Sequence, residues 1–373
     1  MKLLSSFKGM LVRSCLRAIS AAFVRTEKNS WAQRRMAPVL AGLYYLVEGS
    51  FLWEQRAVLR ARLHHWQASE TALYSYRRNL HRLEKGMIMK PRRPNFAEGY
   101  IGETIDLFRR LLNDYGTGKH HCTRDLQWGH RTFSEYFSLV ADSEPIRAAR
   151  SAFESIAVPE ELRGLSGSSV CHPETASAPF GVQDLLQVAR TRHSIRWFLP
   201  TPVPREAIDA AVTVALQSPN ACNRQAYSFR IFDEPELTRQ VAGIPMGISG
   251  FEDKIPCLAV LIGHSGAYPE ARDRHLIYID ASLAAMAFIL AMHVQGIGTC
   301  CVNWPEIGEL EERMQRVMGL THDERPIMLI SIGYPDPEGE APSSPRRSLE
   351  EMRFYNKARG PFQSAGSDAQ REA

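Results

Sequence analysis

The sequence predicts an α+β layered domain in its C-terminal half, preceded by an all-helical region. Three observations carry this. From about Gln183 to Tyr355, helical and strand patterns interleave, the signature of helices layered on a sheet. Upstream, long charged segments carry apolar residues at helical spacing without convincing strand alternation. Between the two lies GLSGSSVCHPETASAPFG, Gly164 to Gly181, rich in Gly, Ser, Pro and Ala and following neither period. The expected organisation is therefore a helical region (1–163), a linker (164–182), an α+β domain (183–358) and a polar, disordered tail (359–373). A chain of 373 residues with 44% apolar content is long enough for two such units.

The first element, Met1 to Arg25, carries Lys2, Lys8, Arg13, Arg17 and Arg25 and no acid, with Leu3, Leu4, Phe7, Leu11, Cys15 and Ala18 near helical spacing. Such a helix either lies on an anionic membrane surface or packs on its own domain. It lacks the continuous apolar stretch of a cleaved signal. Val39 to Trp53 is the most apolar part of this region, but it contains Glu48 and two glycines and falls short of the roughly 20 residues of a spanning helix. A buried or interfacial helix is expected there. Glu54 to Leu83 and Glu98 to Tyr115 read as long amphipathic helices.

In the C-terminal half, Pro204 to Gln217 opens with Pro and has Glu in its first turn, a helix start. Tyr227 to Phe232 and Cys257 to Ile262 are short strands. Arg272 to Gln295 is a long apolar helix whose alanines permit close approach, and it is expected to be central and largely buried. Thr299 to Asn303 is a strand, Pro305 to Met318 a helix, and Ile327 to Ile332 a final apolar strand.

The charge balance, 45 basic against 41 acidic side chains, gives a net +4 and does not predict a nucleic-acid partner. Seven scattered cysteines form no CxxC pair and no disulfide framework, so a reducing, cytoplasmic compartment is expected. His120, His121 and Cys122, and Cys171 with His172, lack a second half-site with metal spacing and read as surface-loop residues; no metal is expected. Gly296-Ile297-Gly298 follows a helix and precedes a strand, the reverse of a dinucleotide-binding turn. Cys300 and Cys301, adjacent on a strand, read as packing residues in preference to a thiol-based active site.

Four clusters carry chemistry. Arg192, Ser194 and Arg196, in RHSIRWF, offer planar bidentate donors and a hydroxyl suited to a phosphate or ribityl chain, or else form a surface ion-pair cluster. The loop SPNACNRQAY, with Asn220, Asn223 and Gln225, offers donors and acceptors that match the edge of a heterocycle, or is a turn. GIGTCCVNW presents strand backbone and Asn303 to a ring, and Pro345-Arg346-Arg347-Ser348 supplies a late basic pair.

Taken in order, RHSIRWF, SPNACNRQAYSF, YIDASLAAMAFILAMHVQGIGTC, ISIGYP and PRRSLEEM resemble the nitroreductase family of FMN-dependent oxidoreductases over nearly all of Gln183 to Tyr355. The resemblance implies a three-layer sandwich, a mixed and mostly antiparallel sheet flanked by helices, in a homodimer with the long helix at the interface. It implies that Arg192, Ser194 and Arg196 hold the FMN phosphate and ribityl chain, with Arg346 and Arg347 returning to the phosphate. Pro219, Asn220, Ala221 and Asn223 would reach the partner's flavin, with Gln225 nearby, and Cys301, Val302 and Asn303 would run along the ring. The implied reaction is a ping-pong transfer of hydride from NADH or NADPH through FMN to a small-molecule acceptor. No catalytic side chain is assigned, because the cofactor supplies the reactivity.

The chain departs from the family at several points. His193 stands where a second Arg is usual, and Asn220 and Ala221 where small hydroxylic residues are common. Ala226 precedes Tyr227 where Pro is usual, and Asn303 replaces an acid found in several members. Farther upstream, RRNLHRLEKGMIMKPRRPNF, Arg77 to Phe96, resembles a His-x-x-Glu-Lys-Gly element preceding the nitroreductase domain in bacterial proteins that accompany polysaccharide biosynthesis. Two readings stand for it. In one, Arg82, Glu84 and Lys85 form surface ion pairs and Gly86 ends the helix; in the other, the segment covers the flavin pocket. Two further functional readings remain open: flavin-dependent oxidation of a polysaccharide or lipid-linked intermediate, and a non-enzymatic flavin-binding factor at a membrane surface.

Overall fold

The computed structural model describes residues 2–26 (2–11 and 13 by backbone alone), 35–49, 51–68, 71–119, 123–163, 168–170 and 179–356. The expected tail, most of the expected linker, and His120, His121, Cys122, Cys171 and His172 lie outside these residues.

The helical region begins with α1 (Lys2–Thr26), which packs on α2 (Ala37–Glu48). Of the two placements expected for this apolar segment, buried or interfacial, burial is not seen: Val39 and Leu46 are each 61% exposed. The segment 54–83, read as one helix, is two, α3 (Leu52–Gln67) and α4 (Ala72–Met87). The break is held by the Thr71 hydroxyl, placed 2.8 Å from the His65 carbonyl and 2.7 Å from that of Ala68. α5 (Ile101–Gly116), α6 (Thr123–Leu139), α7 (Glu144–Glu154) and the single turn α8 (Glu160–Arg163) complete the region. Their core is aromatic and follows helical spacing. Tyr76, Leu80 and Leu83 of α4 meet Phe108 of α5 and Phe133 and Tyr136 of α6, all fully buried. The rings of Phe108 and Phe133 pack edge to face at 5.5 Å.

The C-terminal half runs α9 (Val182–Thr191), α10 (Arg205–Ala215), β1 (Tyr227–Phe232), α11 (Pro235–Ala242), β2 (Cys257–His264), α12 (Leu276–Val294), β3 (Gly298–Asn303), α13 (Gly308–Met318), β4 (Glu324–Gly333) and α14 (Leu349–Met352). The four strands form an antiparallel sheet in the order β1-β2-β4-β3. The mixed character expected of it is confined to one parallel bridge, Ser194 to Thr299. β2 and β4 are central and covered on both faces, which is why they read as continuous apolar runs and not as alternation. One face packs on α10 and α12 through Ala211, Ala215, Ala281, Ala284 and Phe288, the other on α11 and α13 through Val241 and Met314. Helix, sheet and helix thus make three layers. α11, only 8 residues long, is not legible in the sequence pattern.

α12 departs from expectation in one respect. Its alanines face the sheet, but Ile279, Leu283, Met286 and Val294 lie along the opposite side, and Val294 is 65% exposed. The helix is buried on one face only.

The two regions are in contact. His65 Nδ1 lies 2.7 Å from the Gly266 carbonyl, Arg274 Nε lies 3.2 Å from Glu54 Oε1, and Arg77 Nε donates to the Asn223 carbonyl at 2.8 Å.

Candidate cofactor site

The segment after α9 is laid along the edge of the sheet. Ile195 N donates to the Thr299 carbonyl at 3.0 Å, and Leu199 N to that of Tyr334 at 2.9 Å. Close approach here requires the glycine that opens β3: a Cβ on Gly298 would stand 2.9 Å from Ile195 Cγ1 and 3.1 Å from Pro335 Cγ. The glycines at 296 and 298 therefore serve a helix end and a strand contact, with Gly296 at φ +75°.

This placement opens a cleft of about 500 Å³ lined by Arg190, Arg192, His193, Ser194, Arg196 and Arg346. Four arginines converge on it, and among the described residues no carboxylate lines it. Sequence spacing brings together Arg192, Ser194 and Arg196, and the chain's return after β4 adds Arg346, as expected. Arg347 does not line the cleft; its Nε lies 3.9 Å from Glu351 Oε1. Arg190, in the last turn of α9, was missed; its signal was its position two residues before Arg192. An acid-free set of guanidinium groups with a hydroxyl fits a phosphoester chemically.

The loop 218–225 lies elsewhere, against α12. Ser218 Oγ donates to the Leu283 carbonyl at 3.3 Å, and Ala221 N donates to Asp280 at 3.0 and 3.2 Å. Cys222, Asn223 and Gln225 all take left-handed backbone conformations, with φ of 56°, 53° and 51°. The side chains expected to meet a heterocycle are turned partly inward: Gln225 N donates to Asn220 Oδ1 and Gln225 Nε2 to Asn223 Oδ1, both at 2.9 Å. Their hydrogen bonds build the loop, so the loop presents backbone more than amide edges. Pro219 is exposed and Ala221 half-buried on its rim.

Two residues that sequence reasoning missed hold this loop. Asp280 is 2% exposed and also accepts from the Tyr268 hydroxyl at 2.6 Å, while the Arg224 guanidinium lies 4.7 Å from the Tyr268 ring centroid. Burial raises the Asp280 pKa, with Tyr268, Ala221 and Arg224 acting in the opposite sense. A lone acid inside a 19-residue apolar helix was the available signal. The second is Arg77, which reaches the loop from α4 and pairs with buried Asp125.

β3 starts beside Ser194 and carries the remaining expected residues. Cys301 and Asn303 are exposed on one side, while Val302 is buried in the core on the other and does not reach the open face. Burial pushes the Cys300 thiol above its usual range, with Arg196 opposing, which suits a packing residue.

The cleft and the loop stand apart within one chain. His293 adjoins Thr191 at the cleft end of α12 (2.9 Å), whereas Asp280 anchors the loop 13 residues earlier, about 20 Å along the helix.

In the Arg77 to Phe96 element, Glu84 makes no surface pair with Lys85: it accepts from Trp128 Nε1 at 2.5 Å in the helical core, and burial raises its pKa. His81 Nδ1 lies 3.8 Å from Glu84 Oε2. Nor does Gly86 end the helix, which continues to Met87. Gly86 is required because a Cβ there would enter the Phe96 ring, with Cζ at 3.0 Å.

Residues 189–247 and 247–334 match the family model described as the nitroreductase family. An NADH dehydrogenase of Thermus thermophilus is 24% identical over 193 residues, covering 43% of this chain and 92% of the relative. An iodotyrosine deiodinase of Nematostella vectensis is 22% identical over 189 residues, covering 44% of this chain and 71% of the relative. The structure of an FMN-dependent nitroreductase from Clostridium difficile R20291 is similar with a TM-score of 0.41 at 21% identity, over 46% of this chain and 99% of that one. The family match spans the whole sheet, α12 and the arginines at 190, 192 and 196, so the C-terminal domain is similar to the nitroreductase family over these elements.

Proposed function

We propose that the chain binds FMN and acts as a homodimeric oxidoreductase that carries electrons from NADH or NADPH to a small-molecule acceptor. The observation that carries this is the acid-free arginine cleft, whose donors fit the flavin's phosphate and ribityl chain. Arg192, Ser194, Arg196 and Arg346 would hold the phosphate end. Bound there, FMN would supply two-electron chemistry between a nicotinamide and an acceptor. The names of the relatives, an NADH dehydrogenase and a deiodinase, agree with a reductive flavin reaction and leave the acceptor open.

The geometry supports the dimer in this reading. Cleft and loop lie about 20 Å apart along α12 in one chain, and the side of α12 between them carries the exposed Ile279, Leu283 and Met286. An isologous two-fold contact over this stripe, with the two helices antiparallel, sets the loop of one protomer beside the cleft of the other. Pro219, Asn220, Ala221 and Asn223 would then close the partner's site, and Cys301 and Asn303 its own, excluding water from the ring.

The absorbance spectrum of the purified full-length chain tests the cofactor. A flavin spectrum that bleaches on anaerobic addition of NADH or NADPH is expected; a colourless chain that takes up no added FMN refutes the proposal. Light scattering reads the dimer.

A second proposal concerns the N-terminal hairpin, which combines the basic α1 with exposed Val39, Leu43 and Leu46 on α2. This pairing supports peripheral contact with an anionic membrane, at the inner face for a cytoplasmic protein. Flotation with anionic vesicles, abolished on deleting residues 1–49, is the expected result.

A further inference from the structure

A second basic cavity, of about 300 Å³, lies in the helical region between α4 and the chain leading into α5. Arg82, Lys85 and Arg93 line it, with Pro91, Phe96 and Tyr100 as its apolar walls. Among the described residues no carboxylate lines it: Glu84, the acid of the same helical turn, is bonded to Trp128 in the core. Arg82 is held in place, its guanidinium carbon 3.6 Å from the Tyr100 ring centroid and Nη1 donating to Asn79 Oδ1 at 3.2 Å. Three cations around one recess repel one another, and an anion is the complement that relieves them.

The helix that lines the cavity also reaches the 218–225 loop, where Arg77 Nε donates to the Asn223 carbonyl at 2.8 Å. Arg78, Arg82 and Lys85 follow at helical spacing and form a cationic row that rises about 10 Å along α4.

We propose that this cavity holds the phosphate or diphosphate group of a ligand whose other end extends along the row to the 218–225 loop. The reach to the loop, though not the anion site itself, rests on the redox reading above.

Titration calorimetry of the full-length chain with pyrophosphate tests the site. Because the arginine cleft also attracts this probe, the comparison is made in an Arg346→Ala background. Adding Lys85→Ala and Arg93→Ala, both at exposed positions, is expected to weaken pyrophosphate binding about ten-fold or more. Binding unchanged by that pair, or absent from the Arg346→Ala chain, overturns the proposal. Sedimentation with phosphatidic acid vesicles separates the sources of the phosphate. Binding lost with the pair and competed by pyrophosphate assigns a lipid headgroup. Vesicle binding indifferent to the pair, with pyrophosphate binding lost, assigns a free phosphorylated ligand. The flavin spectrum is read separately: a colourless chain that still binds pyrophosphate through Lys85 and Arg93 sinks the redox reading and leaves this site standing.

Discussion

Replacing Arg77 with Ala breaks two contacts at once. Arg77 Nη1 pairs with Asp125, whose side chain is 5% exposed, and Nε donates to the Asn223 carbonyl at 2.8 Å. Leaving a buried carboxylate unpaired costs about 3–5 kcal/mol, and the Asp125 site, in the first turn of α6, recovers only about 0.5 kcal/mol from the helix dipole. The lost bond to Asn223 adds about 1 kcal/mol. Urea unfolding should therefore show R77A destabilised by about 3.5–5.5 kcal/mol, and the double variant with Asp125→Ala should recover about 2 kcal/mol of it. Arg77→Lys separates the roles. An ammonium is a point donor and cannot serve Asp125 and Asn223 in the fork geometry, so R77K should retain most of the stability yet bind FMN more weakly. An R77A loss below about 1 kcal/mol, the range of an exposed ion pair, would refute the reasoning.

Four other outcomes are expected. Gly86→Ala forces the Phe96 ring aside and should cost about 1–3 kcal/mol by thermal unfolding. Burial raises the folded pKa of Asp280 above its unfolded value, so its contribution is present at acid pH and is lost as pH rises through the folded pKa. Asp280→Asn, which keeps an acceptor for Ala221 N, should flatten that loss above the ordinary aspartate range; an identical pH profile would exclude the linkage. Arg192→Ala and Arg346→Ala should each weaken FMN roughly ten- to a hundred-fold by fluorescence titration, while Arg347→Ala, outside the cleft, should not. Leu283→Glu with Met286→Glu should give a monomer by light scattering, with loss of bound FMN in the same preparation.

How much was legible in the sequence depended on whether a signal was local. The long helix, the buried strands β2 and β4, and the grouping of Arg192, Ser194 and Arg196 are written in contiguous residues, and each was readable. Arg346 was readable through the family resemblance, since nothing local links it to a segment 150 residues upstream. The inward turn of Asn220, Asn223 and Gln225 was not readable, because residue type shows that an amide can bond but not to what. Nor was the role of Glu84, whose partner Trp128 lies on another helix; at helical spacing it imitates a surface charge. Arg347 shows the converse, a residue type matched by position and directed elsewhere by one residue of register.

The 218–225 loop explains why the helical region and the redox domain belong together. Left-handed conformations at Cys222, Asn223 and Gln225 cost about 1–2 kcal/mol each, and no glycine relieves them. Bonds inside the loop, among them Gln225 N to Asn220 and Gln225 Nε2 to Asn223, support this shape. It is also held from outside, by Asp280 from α12 on one side and by Arg77 from α4 on the other. Asp280 belongs to the nitroreductase-family span, residues 189–334, but Arg77 does not. A domain lacking the helical region would keep the arginine cleft, since every one of its arginines is its own, and lose one of the two anchors of the loop. The arginine cleft and the loop's shape thus depend on different parts of the chain, and the helical region acts on the second.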